Sequence, residues 1–271
     1  MDAVVDHYAI SDLTGRIAAA LRDAGKDLAK LKTADLAAID EFHVRGRSAT
    51  LEIATKMELT TGCHVLDIGS GLGGPARTLA EVYGCRVTGI DLSPTFCETA
   101  RQLSHWVGLN DRVNFVEGDA TSLPFDTATF DAAMSIHVAM NIEAKSAIYS
   151  GARRTLKSSR VFAVYDILQG EGGDVAFPVP WARDASISYL ATPSEMRSLL
   201  EGAGFKIEAE YDSTEASEAW FKQAATTMTL SASPPVGLRQ FLGNDAAQMT
   251  INQVRNLTER RIRTVTYICR S

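Results

Sequence analysis

The sequence predicts an α/β fold: a doubly wound seven-stranded sheet, an N-terminal helical cover and a helical insertion between the last two strands. Three observations carry that expectation. The stretch from His64 to Gly74, HVLDIGSGLGG, reads as a buried strand running straight into a glycine-rich turn. Beyond it, β-branched apolar runs alternate with helical stripes as far as residue 168, the pattern of a parallel sheet wound on both faces. The last two strand-like runs, 205–211 and 262–269, are separated by roughly fifty residues of helical pattern, far more than a hairpin loop needs.

Residues 1–60 read as helices. Asp12 is placed to cap a helix whose apolar stripe is Leu13, Ile17, Ala20, Leu21 and Ala24, ended by Gly25. Further helices start near Thr33 and Gly46. With no strand before His64 to pair with, this segment is expected to lie over a ligand crevice, as a unit distinct from the α/β domain of residues 61–271. After the first strand, Pro75 opens a helix running to about Tyr83, with Gly84 just past its end. A second strand covers 86–91. Ser93-Pro94 then caps and opens a helix with the stripe Phe96, Ala100, Leu103 and Val107. Strands are expected at 112–116, 130–135 and 161–168, with a helix over 143–156 before the last of these. Residues 169–193, with GEGG and PVPWARD, read as too polar and too proline-broken to be core. A helix over 194–203 ends at Gly204, and the insertion occupies about 212–260.

The chain has 271 residues, 45% hydrophobic and 22% charged, ordinary values for a globular protein. A net charge of -6 argues against nucleic acid as a partner, since such binders carry a basic face. Cys63, Cys85, Cys97 and Cys269 form no C-x-x-C pair and have no histidine at zinc-ligand spacing, so no metal is expected and the thiols read as reduced. No apolar run reaches the length of a membrane span, and the first residues lack a basic region followed by an apolar core, so a cytoplasmic chain is expected.

The glycine turn, Gly69-Ser70-Gly71-Leu72-Gly73-Gly74, opens a helix whose free N–H groups suit a nucleotide-like ligand. Gly69, Gly71 and Gly74 alone also satisfy the dinucleotide fingerprint. Asp67, two residues before the turn, tips the balance. A carboxylate there has no use beside a pyrophosphate and suits a cationic amino group. Asp91, at the end of the second strand, can accept hydrogen bonds from both hydroxyls of a ribose, or is a strand-end cap.

Asp67-x-Gly69-x-Gly71-x-Gly73 resembles the first motif of the class I S-adenosylmethionine-dependent methyltransferases. That resemblance implies a Rossmann-like fold with S-adenosylmethionine as cofactor, its methionine end on the loop at Ser70. Leu92 would pack on the adenine. Gly118-Asp119-Ala120 resembles the family's adenine-binding element, with Asp119 on the exocyclic amine and the Ala120 N–H on a ring nitrogen. Ile136 and His137 would border the methyl group.

The motifs Asp40-Glu41-Phe42-His43-x-x-Gly46-Arg47-x-x-Thr50, His137-Val138-Ala139-Met140-Asn141-Ile142 and Phe177-Pro178-Val179-Pro180-Trp181-Ala182 resemble the sarcosine/dimethylglycine N-methyltransferase-like group. Lys157-Ser158-Ser159-Arg160 departs from the superfamily's Lys-Pro-Gly-Gly and is expected in a surface turn before the fifth strand.

The resemblance implies a small-molecule acceptor, with the amine of sarcosine or dimethylglycine the leading reading. An O- or C-methylated natural product or quinone is the alternative, and a non-catalytic binder of the cofactor the less favoured one. His137 is expected to position the acceptor or serve as its base, or else to be a hydrogen-bonded structural histidine. Asn141 shares its face if a helix begins there, or caps the next one. Trp181, Tyr8, Phe42 and Tyr165 can offer aromatic faces to a nitrogen cation, or simply pack. Arg47 or Arg183 can take the acceptor's carboxylate; Arg47 can instead hold that of the cofactor, and both can be surface charges.

Overall fold

A computed structural model describes residues 12–230 and 245–271. At the centre is a seven-stranded sheet in the order β3-β2-β1-β4-β5-β7-β6. The strands are β1 (His64–Ile68), β2 (Arg86–Asp91), β3 (Val113–Glu117), β4 (Phe130–Ile136), β5 (Leu156–Gln169), β6 (Lys206–Asp212) and β7 (Ile262–Arg270). β1 to β5 pair in parallel, and β7 runs antiparallel to both β5 and β6. The doubly wound parallel expectation therefore holds except for one reversed strand. That strand follows two helices, from which the chain can return in either direction.

β1 is apolar at consecutive positions because both its faces are covered. Val65 belongs to one apolar cluster, with Ile53, Leu79, Ala100 and Met134. Leu66 and Ile68 belong to the other, with Ile148, Tyr149, Met196 and Leu200. Each fully buried aliphatic side chain of these clusters contributes at most about 1.5–3 kcal/mol.

The helices are α1 (Leu13–Asp23), α2 (Thr33–Asp40), α3 (Gly46–Ala54), α4 (Gly74–Tyr83), α5 (Pro94–Trp106), α6 (Lys145–Thr155), α7 (Pro193–Gly202), α8 (Thr214–Leu230) and α9 (Ala246–Thr258). Asp12 caps α1 through the Gly15 N–H, and Ser93 caps α5 through the Phe96 N–H. Leu13, Ile17 and Leu21 of α1 pack with Phe96 and Leu103 of α5. α8 and α9 lie within the expected insertion.

Two expectations fail outside the central strands. Residues 157–160 are not a turn before β5 but a bulge inside it: Leu156 pairs with Phe130, Val161 with Ala132, and Ser159 takes φ 59° between them. The exposed bulge is fastened by Lys157 to Asp131 at 2.8 Å. Segment 169–193, expected outside the core, buries Val179, Trp181 and Ala182 completely among Val44, Met140, Ile167, Leu257 and Ile262. Its polar backbone is satisfied from α9: Asn252 donates to the Pro178 carbonyl at 2.9 Å, and Asn256 bonds both the N–H and the carbonyl of Ala176. The prolines break regular structure, but side-chain amides supply the partners that a strand or helix would have given.

No helix of the described residues is long and apolar enough to cross a membrane.

Candidate active site

The strand order reverses at β1, with β2 on one side and β4 on the other, and ligands of such sheets bind outside the carboxyl ends at that switch point. The glycine turn leaves β1 there. At Gly69 (φ 72°) a Cβ would lie 2.4 Å from Val138, so only glycine lets the turn pass beside the chain leaving β4. At Gly73 (φ 77°) a Cβ would lie 2.3 Å from the Phe115 ring, and this residue starts α4 in the left-handed conformation.

Asp91 shapes the turn. Its Oδ2 accepts the Gly71 N–H at 2.8 Å and its Oδ1 the Ser93 N–H at 3.0 Å, while the Ile90 carbonyl accepts from Gly69 and Ser70. Each carboxylate oxygen keeps a further lone pair. Leu92, beside it, is half-buried. The Gly118 N–H donates to the Asp91 carbonyl at 2.9 Å, which brings the turn after β3 alongside. In that turn Asp119 and Ala120 are half-buried, and Asp119 Oδ1 accepts the Thr121 N–H at 2.8 Å.

Asp67 is different. It is 2% exposed, its Oδ2 has no hydrogen-bond partner, and Ser70 Oγ on the turn has none either. Burial, then the charges of Asp91 and Glu41, push its carboxyl up to about 8. A buried acid lacking a partner is costly to ionise until a cation arrives. Asp67 and Ser70 therefore fit a ligand with an ammonium group, as S-adenosylmethionine has.

Across the switch point, His137 follows β4 with φ 54°, a strained conformation for a non-glycine residue. Its N–H donates to the Tyr165 carbonyl at 2.7 Å, and its ring lies 4.7 Å from that of Tyr165. Nε2 of His137 has no partner. Burial, reinforced by His43, holds the ring well below the usual histidine range, so it is neutral at physiological pH. Ile136, the last residue of β4, is 8% exposed and packs in the core with Tyr165.

His43 was given no role from the sequence, because nothing in its spacing ties it to position 137. Its ring meets that of His137 edge-on at 5.9 Å. Its Nε2 is 2.9 Å from the Gly46 carbonyl, which can only accept, so that nitrogen carries the proton. Burial pushes this ring down to about 4.

The segment carrying His43 is tied to α4. Buried Arg77 pairs with Asp40 at 2.6 Å and donates to the Leu72 carbonyl, and Glu41 accepts from Thr50 and Thr78. Phe42 is half-buried, its ring 3.6 Å from where a Gly71 Cβ would stand.

Several expected site residues have their polar groups committed within the fold. Asn141 shares no helical face with His137: it sits in a short 3₁₀ turn, and its amide donates to the Trp181 and Ile187 carbonyls, holding segment 169–193. Trp181 offers no open face, being 1% exposed with Nε1 on Ser188. Tyr165 is as buried, with its hydroxyl on the Val44 carbonyl at 3.3 Å. Arg47 is engaged by Glu81 at 2.7 Å and by Thr33, and Arg183 forms an exposed pair with Asp245. Tyr8 lies outside the described residues.

Residues 66–164, from β1 into β5, match the methyltransferase-domain family. Over that stretch the chain is similar to the methyltransferase domain, and its seven-stranded sheet with flanking helices has the class I methyltransferase Rossmann-like fold. Among curated proteins, this chain is 36% identical over 126 residues to the sterol 24-C-methyltransferase of Eremothecium gossypii, covering 46% of this chain and 34% of that protein. The chain thus spans about a third of that relative's length. The fold is shared with the [4+2]-cyclase SpnF (TM-score 0.69, 21% identity, 94% of this chain and 93% of that one). It is shared too with a Galdieria sulphuraria protein named, by assignment, a sarcosine dimethylglycine methyltransferase (TM-score 0.68, 17% identity, 85% and 92%).

Proposed function

We propose that the protein transfers a methyl group from S-adenosylmethionine to a neutral small-molecule acceptor that has no carboxylate. The observation that carries the cofactor half of this reading is the unpartnered Asp67 Oδ2 beside the glycine turn. In the proposed arrangement Asp67 receives the cofactor's amino group, Ser70 and the N–H groups at the start of α4 its carboxylate, Asp91 the ribose hydroxyls, and Leu92, Asp119 and Ala120 the adenine. When bound, the cofactor supplies an electrophilic methyl on a sulfonium. The chain's own contribution is alignment and exclusion of water, with Phe42 and the segment around it covering the turn.

The acceptor half rests on charge. The charges of Asp91 and Glu41 already weigh on Asp67, and an anionic acceptor placed there would meet the same repulsion. The arginines around them are paired, Arg77 with Asp40, Arg45 with Glu52 and Arg47 with Glu81. A second reading, methylation of the amine of sarcosine or dimethylglycine, is favoured by the fold shared with the Galdieria protein. It needs a carboxylate partner, and Arg47 and Arg183, the two arginines expected to serve, are both engaged elsewhere. The sterol relative favours a neutral acceptor.

Isothermal titration tests the cofactor half: S-adenosylmethionine is expected to bind and NAD not to bind, and the reverse result would end the reading. Mass detection of S-adenosylhomocysteine with a panel of neutral and anionic acceptors tests the other half.

A further inference from the structure

We propose that the acceptor is a hydroxyl compound, a phenol or alcohol, whose O–H points at His137 Nε2, with His43 and Tyr165 as the positioning residues that hold that ring. This rests on the cofactor reading above and names the acceptor class within it.

A buried nitrogen without a partner is the mark of a missing one, and His137 Nε2 is such an atom at the switch point. The protein holds the ring there against backbone strain, at φ 54°, with the His137 N–H fixed on the Tyr165 carbonyl. Two rings bracket it: Tyr165 at 4.7 Å and His43 at 5.9 Å. Neither ring is free to take over its task. Tyr165 spends its hydroxyl proton on the Val44 carbonyl, and His43 gives its Nε2 proton to Gly46, with Thr50 Oγ1 3.2 Å from the same nitrogen. His137 is thus left with an uncommitted nitrogen, and the rings around it are locked by backbone carbonyls.

A neutral amine already carries the lone pair that attacks and needs no proton acceptor, so it gives an uncommitted His137 Nε2 nothing to do. A hydroxyl becomes a strong nucleophile only as its proton leaves, and His137 Nε2 is the open acceptor for that proton. The hydroxyl oxygen forms the new bond to the methyl carbon as the carbon–sulfur bond breaks, and that electron pair stays on sulfur to give S-adenosylhomocysteine. The hydroxyl proton passes to His137 Nε2 and later to water. The positive charge lost at sulfur reappears on the imidazole, so the buried charge is unchanged across the step.

The test uses the full chain with methyl-labelled S-adenosylmethionine and a panel of phenols, primary and secondary alcohols and a 3-hydroxysterol, set against sarcosine, dimethylglycine and arylamines. Methyl ethers are expected. With an accepted hydroxyl compound, His137→Gln should lower kcat at least 100-fold with cofactor affinity unchanged. His43→Gln keeps an N–H for the Gly46 carbonyl but removes the ring, so a purely structural role would be rescued. The proposal expects kcat to fall at least 10-fold with melting temperature and cofactor affinity held. Labelled amines without ethers, no ether from any panel member while the cofactor binds, or a full rate in either variant would overturn it. Failure of the cofactor to bind would instead overturn the reading beneath it.

Discussion

One wall of the proposed site is built from neighbours in sequence: Asp67, Ser70 and the glycines stand in one short stretch, and Asp91 and Asp119 end or follow the next two strands. The other is assembled from afar, with His43 from before the sheet, His137 after β4, Tyr165 in β5 and, behind them, Trp181 and Asn141 in segments stitched together by side-chain amides. In the first wall Asp67 Oδ2 and Ser70 Oγ are buried without a hydrogen-bond partner. In the second, the polar groups of Asn141, Tyr165 and Trp181 are already bonded, whereas His137 Nε2 is not. The difference teaches that a local motif can show where a cofactor sits, while the acceptor's surroundings depend on contacts that no local motif encodes.

The largest expected effect separates the walls by stability. Trp181→Ala empties the core behind the acceptor wall and should cost about 3–5 kcal/mol of folding free energy. Cofactor affinity by titration at a temperature where the variant is folded should stay within twofold. A large loss of affinity at unchanged stability would mean that Trp181 belongs to the site after all.

Next comes Asp67→Asn, which keeps shape and removes charge. Cofactor affinity should fall roughly 100-fold, the worth of a buried charge-assisted hydrogen bond. Without cofactor the sign for stability is opposite. The folded carboxyl is raised from 3.8 to about 8, so the native state holds a proton that the unfolded chain has already released between those values. The contribution of Asp67 to stability is therefore fully present below pH 4 and lost as pH rises towards 8. Thermal melts of the cofactor-free protein should show the asparagine variant gaining on the parent from pH 5 to pH 8. A constant gap across that range would mean that the carboxyl is not desolvated.

The same contrast explains what could be read in advance. β1 and β2 have the expected bounds because their apolar runs are closed by glycine and proline signals on the spot, and Asp12, Ser93 and Gly84 end their helices as anticipated. The reversal of β7 left no local mark, since a β-branched run reads alike in either direction. Segment 169–193 was misjudged because its burial depends on Asn252 and Asn256, many residues away, satisfying its backbone. His43 and the Asp40–Arg77 pair were missed for a related reason. Arg77 sits in a helix that looks amphipathic with the arginine outward, and only the packing of the preceding segment turns that position inward.

Arg47→Ala is the smallest perturbation and the finest discriminator between the walls. Arg47 stands in the 40–50 stretch that, in the sequence, resembles the N-methyltransferase-like group, a position expected to serve the cofactor's carboxylate or the acceptor's. The structure commits its guanidinium to Glu81 and Thr33, with Arg47 21% and Glu81 42% exposed. A part-exposed pair of that kind is worth about 0.2–1 kcal/mol, so the melting temperature should drop by no more than a few degrees. Cofactor affinity and acceptor KM should both be unchanged, because the guanidinium is already committed to Glu81 of α4 and Thr33 of α2. A tenfold rise in the acceptor KM alone would return Arg47 to the acceptor wall and with it the case for a carboxylate-bearing substrate. A matching loss in cofactor affinity would place it on the glycine-turn wall instead, and the division between a locally encoded wall and an assembled one would have to be redrawn through residues 40–50.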